Sequence, residues 1–255
     1  MVDRTSSRPG SIETPGSIEI ISETGSTSSD LASRLIAGDQ VAEGSWLVAD
    51  RQTAGRGRLG RSWSDGSGNF MGSTNVKLTA GDPPAPSLAL VAGLAVHDAV
   101  SGHIAEPDRA MLKWPNDLLV NGVKLAGILL ERVGDRVVVG IGVNLAQAPQ
   151  VPDRETLALT RYGPAPDRDG FAEALAGCFA AEVLRWRSYG LGPLIQRWQA
   201  AGHPPGTPLC VVQPDGGRLS GTFAGLGEDG ALRLALPDGT TRIIHAGEVL
   251  LAYPD

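Results

Sequence analysis

Between Leu112 and Val143 the chain carries four apolar runs too short and too closely spaced to be helices: Leu112 to Trp114, Leu118 to Val120, Leu125 to Arg132 and Arg136 to Val143. Asn121-Gly122 and Gly134-Asp135 fall between them, and residues of these types enter the left-handed backbone region that a tight hairpin turn requires. Runs punctuated in this way pair with one another as an antiparallel centre, and the rest of the chain must pack upon it.

The flanking segments supply the packing. Ile18, Ile20 and Ile21 begin a strand, Ser26, Thr27 and Ser28 offer helix caps, and Leu31, Ala32, Leu35 and Ile36 recur at helical spacing. Trp46 to Ala49 and Phe70 to Leu78 read as strands, and Leu88, Val91, Ala92, Ala95, Val96 and Ala99 form one helical face. Two further helices are expected over Phe171 to Tyr189 and Leu191 to Ala201, before the breakers Gly202, Pro204, Pro205 and Gly206. Beyond them, the short runs Leu209 to Val212, Leu219 to Leu226, Leu232 to Leu236 and Arg242 to Ile244 alternate with Asp-Gly turns, the pattern of a small β-barrel. The expected organisation is therefore α+β. A tail over 1–17 precedes a domain over 18–205, a mixed β-sheet flanked by helices, and a C-terminal β-barrel follows over 206–255.

Charge and cysteine content narrow the function. A net charge of -6 repels a polyanion unless positive charge is clustered, which argues against non-specific nucleic-acid binding. Cys178 and Cys210 are too few and too far apart for a disulfide framework or a cysteine zinc site. The first 17 residues lack the apolar block of a signal peptide, and Gly93 interrupts the best apolar run, Leu88 to Val96. A soluble cytoplasmic protein with no membrane partner is expected. GxxxxGK[ST], GxSxG and HExxH are absent and the four histidines are dispersed, so nucleophilic catalysis and a histidine metal site have no support. Asp167-Arg168-Asp169 reads as a helix cap rather than a metal pair.

Chemistry concentrates in three places. Gly55-Arg56-Gly57-Arg58-Leu59-Gly60-Arg61 contains GxGxxG, but no helix opens after it, so a dinucleotide fold is excluded. Its glycines admit a ligand to the backbone and its guanidiniums fork onto phosphate or carboxylate, although a solvated basic loop would read the same way. Trp63 could stack on a purine or fill a core. Lys113-Trp114-Pro115-Asn116-Asp117 and Lys124-Leu125-Ala126-Gly127-Ile128 hold two of the chain's three lysines, and a hairpin at Asn121-Gly122 sets Asp117 and Lys124 on neighbouring strands. A plain cross-strand salt bridge satisfies that pattern as well. Asn144 could present its amide to an adenine edge or cap a strand end.

Together, GSTSSDL, DRQTAGRGRLGRSW, KWPNDLLV, KLAGILLE and GIGVNL stand in the order and spacing of the biotin protein ligases, which residues 18–255 resemble, barrel included. The resemblance implies a class II synthetase-like catalytic domain, an SH3-like C-terminal barrel, and biotin and ATP as substrates with Mg2+. It implies activation of biotin as biotinyl-5'-AMP and transfer to a lysine of the biotin carboxyl carrier domain of a carboxylase. Mapped onto this chain, it assigns Ser26, Thr27, Ser28, Gln52, Gly55, Arg56, Gly57, Arg58, Lys124 and Gly127 to biotin. Arg56, Arg58, Arg61, Trp63, Asn116, Lys124 and Asn144 go to ATP, and Lys124, Arg58 and Asp117 to catalysis, with no protein metal site. Ser28 stands where the family usually has Asn. Fewer than 30 residues precede the first motif, so no DNA-binding repressor activity is expected, and the chain is expected to be a monomer or weak homodimer. Residues 53–66 are expected to order on biotin binding. The rivals are a lipoate or octanoate ligase of the same fold, a DNA-binding biotin sensor and a binder without turnover. The polar set Ser26, Thr27 and Gln52 favours biotin over an alkyl acid.

Overall fold

The structure is a computed structural model that describes residues 16–64, 66–151, 155–213 and 216–251. The tail expected over 1–17 lies almost wholly outside them. The chain runs β1 (Ile18–Thr24), α1 (Thr27–Ala37), β2 (Trp46–Gln52), β3 (Phe70–Lys77), α2 (Leu88–Ser101), β4 (Ala110–Lys113), β5 (Asp117–Val120), β6 (Val123–Val133) and β7 (Arg136–Val143). Then come α3 (Arg168–Tyr189), α4 (Leu191–Ala201), β8 (Pro208–Val212), β9 (Arg218–Leu226), β10 (Leu232–Ala235), β11 (Thr241–Ile244) and β12 (Glu248–Leu251).

Seven strands form one sheet in the order β1-β2-β3-β7-β6-β5-β4. Its centre is antiparallel as expected, while β1 and β2 pair in parallel because α1 makes the crossover between them. Asn121 (φ 51) and Gly122 (φ 81) both take the left-handed conformation at the β5–β6 turn. α1 opens with Ser26 as its cap, accepting from the Ser29 amide at 3.4 Å, and closes on Gly38 at φ 83.

Strand alternation divides the sheet into two unlike faces. Val137, Val139, Ile141 and Val143 of β7 point into the main core with Ala126 and Ile128 of β6 and Leu118 and Val120 of β5. α2 covers this face, and being apolar nearly all round it is itself covered by α3 and α4. The opposite face, toward α1, carries Ser73, Gly140, Gly142, Gly127 and Asp117. This second face holds the cleft.

Strands β11-β10-β9-β8-β12 form a second, antiparallel sheet. Sequence reading missed β12, whose four residues pair with β8, 36 to 42 positions earlier in the chain. The second sheet docks on the elements around the first: Trp114 Nε1 donates to the Gly230 carbonyl at 3.1 Å, and Gln199 Oε1 of α4 accepts from the Leu226 amide at 2.8 Å. Among the described residues, no helix is long and apolar enough to cross a membrane.

Candidate active site

A cleft of about 600 Å³ opens over the α1-side face of the large sheet. At the start of α1 it is a recess lined by hydroxyls. Thr27 is buried, and Gln52 Oε1 accepts from its amide at 2.8 Å and its hydroxyl at 3.1 Å. Ser73 Oγ lies 2.8 Å from Thr27 Oγ1 and 2.9 Å from Ser28 Oγ, which makes it the hub of the group. Sequence reading did not select Ser73. The recess exists because Gly140, paired with Ser73 across β3 and β7, has no side chain: a Cβ there would lie 2.3 Å from Ser28 Oγ.

A second glycine pair continues the floor. Gly127 and Gly142 face each other across β6 and β7, and the Trp63 indole lies upon them; a Cβ on Gly142 would come within 2.3 Å of its ring, and one on Gly127 within 3.0 Å. Lys124 Nζ stands 5.7 Å from the Trp63 ring centroid. Among the described residues Trp63 Nε1 is buried and has no hydrogen-bond partner, and the same is true of Asn144 Oδ1. Asn144 itself is fixed by its Nδ2, which donates to the Leu157 carbonyl at 3.0 Å.

The charged centre depends on a β-bulge. Asp117 pairs with Gly127 and Leu118 with Ala126, but the register slips between Leu118 and Leu119, so that Leu119 faces Lys124. In an unbroken ladder Lys124 would point away from Asp117. The extra residue turns Leu125 into the interior and Lys124 onto the cleft face. Lys124 Nζ donates to Asp117 Oδ1 at 2.5 Å, and Lys113, the cross-strand neighbour of Asp117, places its Nζ 3.2 Å from Oδ2. Burial by itself would raise the Asp117 pKa, but the charges and hydrogen bonds of Lys124 and Lys113 outweigh it and hold the carboxyl below the usual carboxylate range. Asp117 is therefore ionised at neutral pH.

The glycine–arginine segment is a compact loop rather than a helix start. The Gly57 amide donates to the Arg61 carbonyl at 2.7 Å, Arg58–Gly60 form a single 3-10 turn, and the Trp63 amide closes onto the Gly55 carbonyl at 2.8 Å. Arg58 donates to Asn116 Oδ1 at 2.9 Å and to the Gly247 carbonyl at 3.1 Å. Burial lowers its pKa, against the opposing pull of Asp117 and Glu248. Arg61 pairs with Glu248 at the start of β12. Arg56 turns to Ser29 Oγ (3.0 Å) and Glu131 (2.7 Å).

The cleft thus brings together Ser26, Thr27, Ser28, Gln52, Arg56, Gly57, Arg58, Arg61, Trp63, Asn116, Asp117, Lys124, Gly127 and Asn144. Of the residues expected from the sequence, Gly55 alone does not line it. Gly55 packs beneath the loop, where a Cβ would meet the Trp63 carbonyl at 2.6 Å, so its place is in closing the loop. Glu248, with Val249 and Leu250, was not anticipated, because its strand had not been recognised.

Both the sequence and the fold have known relatives. Residues 21–146 match the Biotin/lipoate A/B protein ligase family, and residues 210–251 match the Biotin protein ligase C terminal domain. A biotin--[acetyl-CoA-carboxylase] ligase of Mycobacterium tuberculosis is 36% identical over 239 residues, covering 91% of this chain and 88% of that protein. The chain belongs to the biotin protein ligase family. A second relative of this ligase, from Paracoccus denitrificans and of the same name, is 38% identical over 80% of this chain and 89% of its own length. The biotin protein ligase from Aquifex aeolicus, solved in complex with biotin and ATP, superposes with a TM-score of 0.80 at 27% identity, covering 93% of this chain and 99% of that one. The ligase fold therefore extends through both sheets.

Proposed function

We propose that this cleft performs both halves of ATP-dependent biotin–protein ligation. In the first, a biotin carboxylate oxygen attacks the α-phosphorus of ATP; a P–O bond forms as the bond to pyrophosphate breaks, and pyrophosphate leaves with the electron pair. In the second, the amine of an acceptor lysine, on the biotin carrier domain of a carboxylase, attacks the carbonyl carbon of biotinyl-5'-AMP. The C–O bond to phosphate breaks, AMP leaves with the pair, and the two protons shed by the ammonium pass to solvent. The observation that carries the proposal is the meeting, in one cleft, of a hydroxyl-and-amide recess, a lysine and an arginine loop.

The residues divide accordingly. Ser26, Thr27, Ser28 and Gln52 offer the donors and acceptors that a ureido ring needs, with Ser73 holding two of the hydroxyls in place. Ser28 is the residue that replaces the family's usual Asn, and its hydroxyl is already committed to Ser73. Lys124 is suited to bridge the biotin carboxylate and the α-phosphate, both anions, and Arg56, Arg58 and Arg61 to receive the phosphates. Trp63 offers a face to adenine, and the unpaired Asn144 Oδ1 an acceptor for its amino group. Asp117, ionised in its burial, captures and orients the incoming ammonium.

Among the described residues no three His, Cys, Asp or Glu side chains converge on a metal position, and the carboxylates of the cleft, Asp117 and Glu248, each hold a basic side chain. This donor set fits a Mg2+ held by nucleotide phosphates and water rather than by a protein cage. Such an ion supplies neutralisation of phosphate charge.

ATP–pyrophosphate exchange tests the reading, with biotin, lipoate or octanoate supplied separately and no acceptor present. Exchange with biotin alone, abolished in Lys124→Ala, is the expected result; exchange with lipoate or octanoate instead would overturn the substrate assignment.

A further inference from the structure

Asp117 is held by two lysines, and only one of them has been given a task. We propose that Lys113 is the fixed half of a two-lysine clamp on Asp117, holding Oδ2 throughout the cycle while Lys124 turns from Oδ1 to the substrates and leaves that oxygen to the acceptor ammonium. The inference rests on the two-step reading above and adds a positioning residue to it.

Three observations carry it. Lys113 faces Asp117 across the tight β4–β5 turn, whose Trp114 is bonded to the Gly230 carbonyl and whose Asn116 Nδ2 donates to the Ile128 carbonyl at 2.7 Å. Both lysine side chains are largely buried, so their charges act on Asp117 at full strength. Lys124 projects from a bulge onto the glycine floor, beside the Trp63 ring and over Gly127. The two ammonium groups also take different oxygens, so one can leave without disturbing the other.

The chemistry requires one cation to stay. Burial favours the neutral acid, and with both lysines withdrawn Asp117 would take up a proton and lose its attraction for an ammonium. Lys124 is drawn off by the phosphate of biotinyl-5'-AMP at the stage when the acceptor must be captured. Arg58 and Arg61 also bear on Asp117 through space, but both are guanidiniums of the loop that meets the phosphates. That leaves Lys113. His203, buried nearby and neutral, adds no competing charge.

The test separates the half-reactions. Exchange with biotin and ATP reads the first. Single-turnover transfer from enzyme-bound biotinyl-5'-AMP to a purified biotin carboxyl carrier domain, followed across pH, reads the second. Wild type, Lys113→Met and Lys113→Arg are compared. Lys113→Met should lose transfer by roughly tenfold or more beyond any loss in exchange, as misplacing or neutralising a reacting group does. Its transfer rate should also begin to fall at a higher pH than wild type as acid is added, because Asp117 has lost one of its cations. Lys113→Arg should recover both. Equal losses in the two half-reactions with an unmoved acid limb, or transfer at the wild-type rate in Lys113→Met, would overturn the clamp. A wild-type protein silent in exchange would refute the ligase reading, and the clamp with it.

Discussion

Single atoms set the dimensions of the recess. The missing Cβ of Gly140 is the space into which Ser28 Oγ fits, and Ser28 in turn fixes Ser73 and, through it, Thr27. Gly140→Ala would push Ser28 aside and break that chain of hydroxyls. Overpacking of this kind costs about 1–3 kcal/mol where neighbours cannot yield, and the same displacement should raise the biotin KM in exchange by roughly tenfold or more. The ATP KM, measured in the same assay, should change far less; equal rises in the two would mean that the recess is not where biotin lies. Ser26, Thr27 and Gln52 were legible in the sequence because they stand in distinctive motifs. Ser73 was not, since Ser73-Thr74-Asn75 is merely a polar patch in a strand, and only its register opposite Gly140 reveals a role.

Elements decide which side chains meet. That Asp117 and Lys124 lie on neighbouring strands followed from the turn at Asn121-Gly122, but their common face did not, because a bulge adds a residue without any local sequence mark. The arginine loop shows the same limit: its glycines and guanidiniums foretold an anion site, yet its anchors are distant in sequence. Arg61 reaches Glu248 and Arg58 the Gly247 carbonyl, at the start of and just before an edge strand whose brevity and remote partner kept it out of sight. Glu248→Gln should release the Arg61 end of the loop. Because Arg61 is 44% exposed, stability should fall by less than about 1 kcal/mol, while tryptic cleavage after Arg61 should quicken. Biotin with ATP should slow cleavage in wild type, since a loop folded over an adenylate shields its own backbone. Cleavage indifferent to both the substitution and the substrates would show that the loop neither depends on β12 nor closes.

At the scale of the molecule, local pattern foretold two sheets but not their union. Strand periods and Asp-Gly turns mark the elements of each, whereas the seam is made by bonds such as Trp114 to Gly230 and Gln199 to Leu226 that no local signal carries. His203 lies just past α4, in the segment that leads to the second sheet, 7% exposed, its Nε2 without a hydrogen-bond partner among the described residues. Burial, reinforced by the charge of Lys113, pushes its pKa down from 6.5 to about 4. The unfolded chain therefore binds the proton first. Stability is fully present above the unfolded value and is lost as pH falls from 6.5 through about 4, by about 3 kcal/mol from this group. Carboxylates whose pKa values are lowered in the fold, Asp117 and Asp82 among them, lose their contributions on the acid side as well, so a comparison with a non-titrating side chain isolates the histidine. Urea unfolding of wild type and His203→Leu across this range should give a shallower acid decline in the variant, whatever its stability at neutral pH. Parallel curves would mean that His203 takes up its proton without cost to the fold, and that its burial does not hold its pKa down.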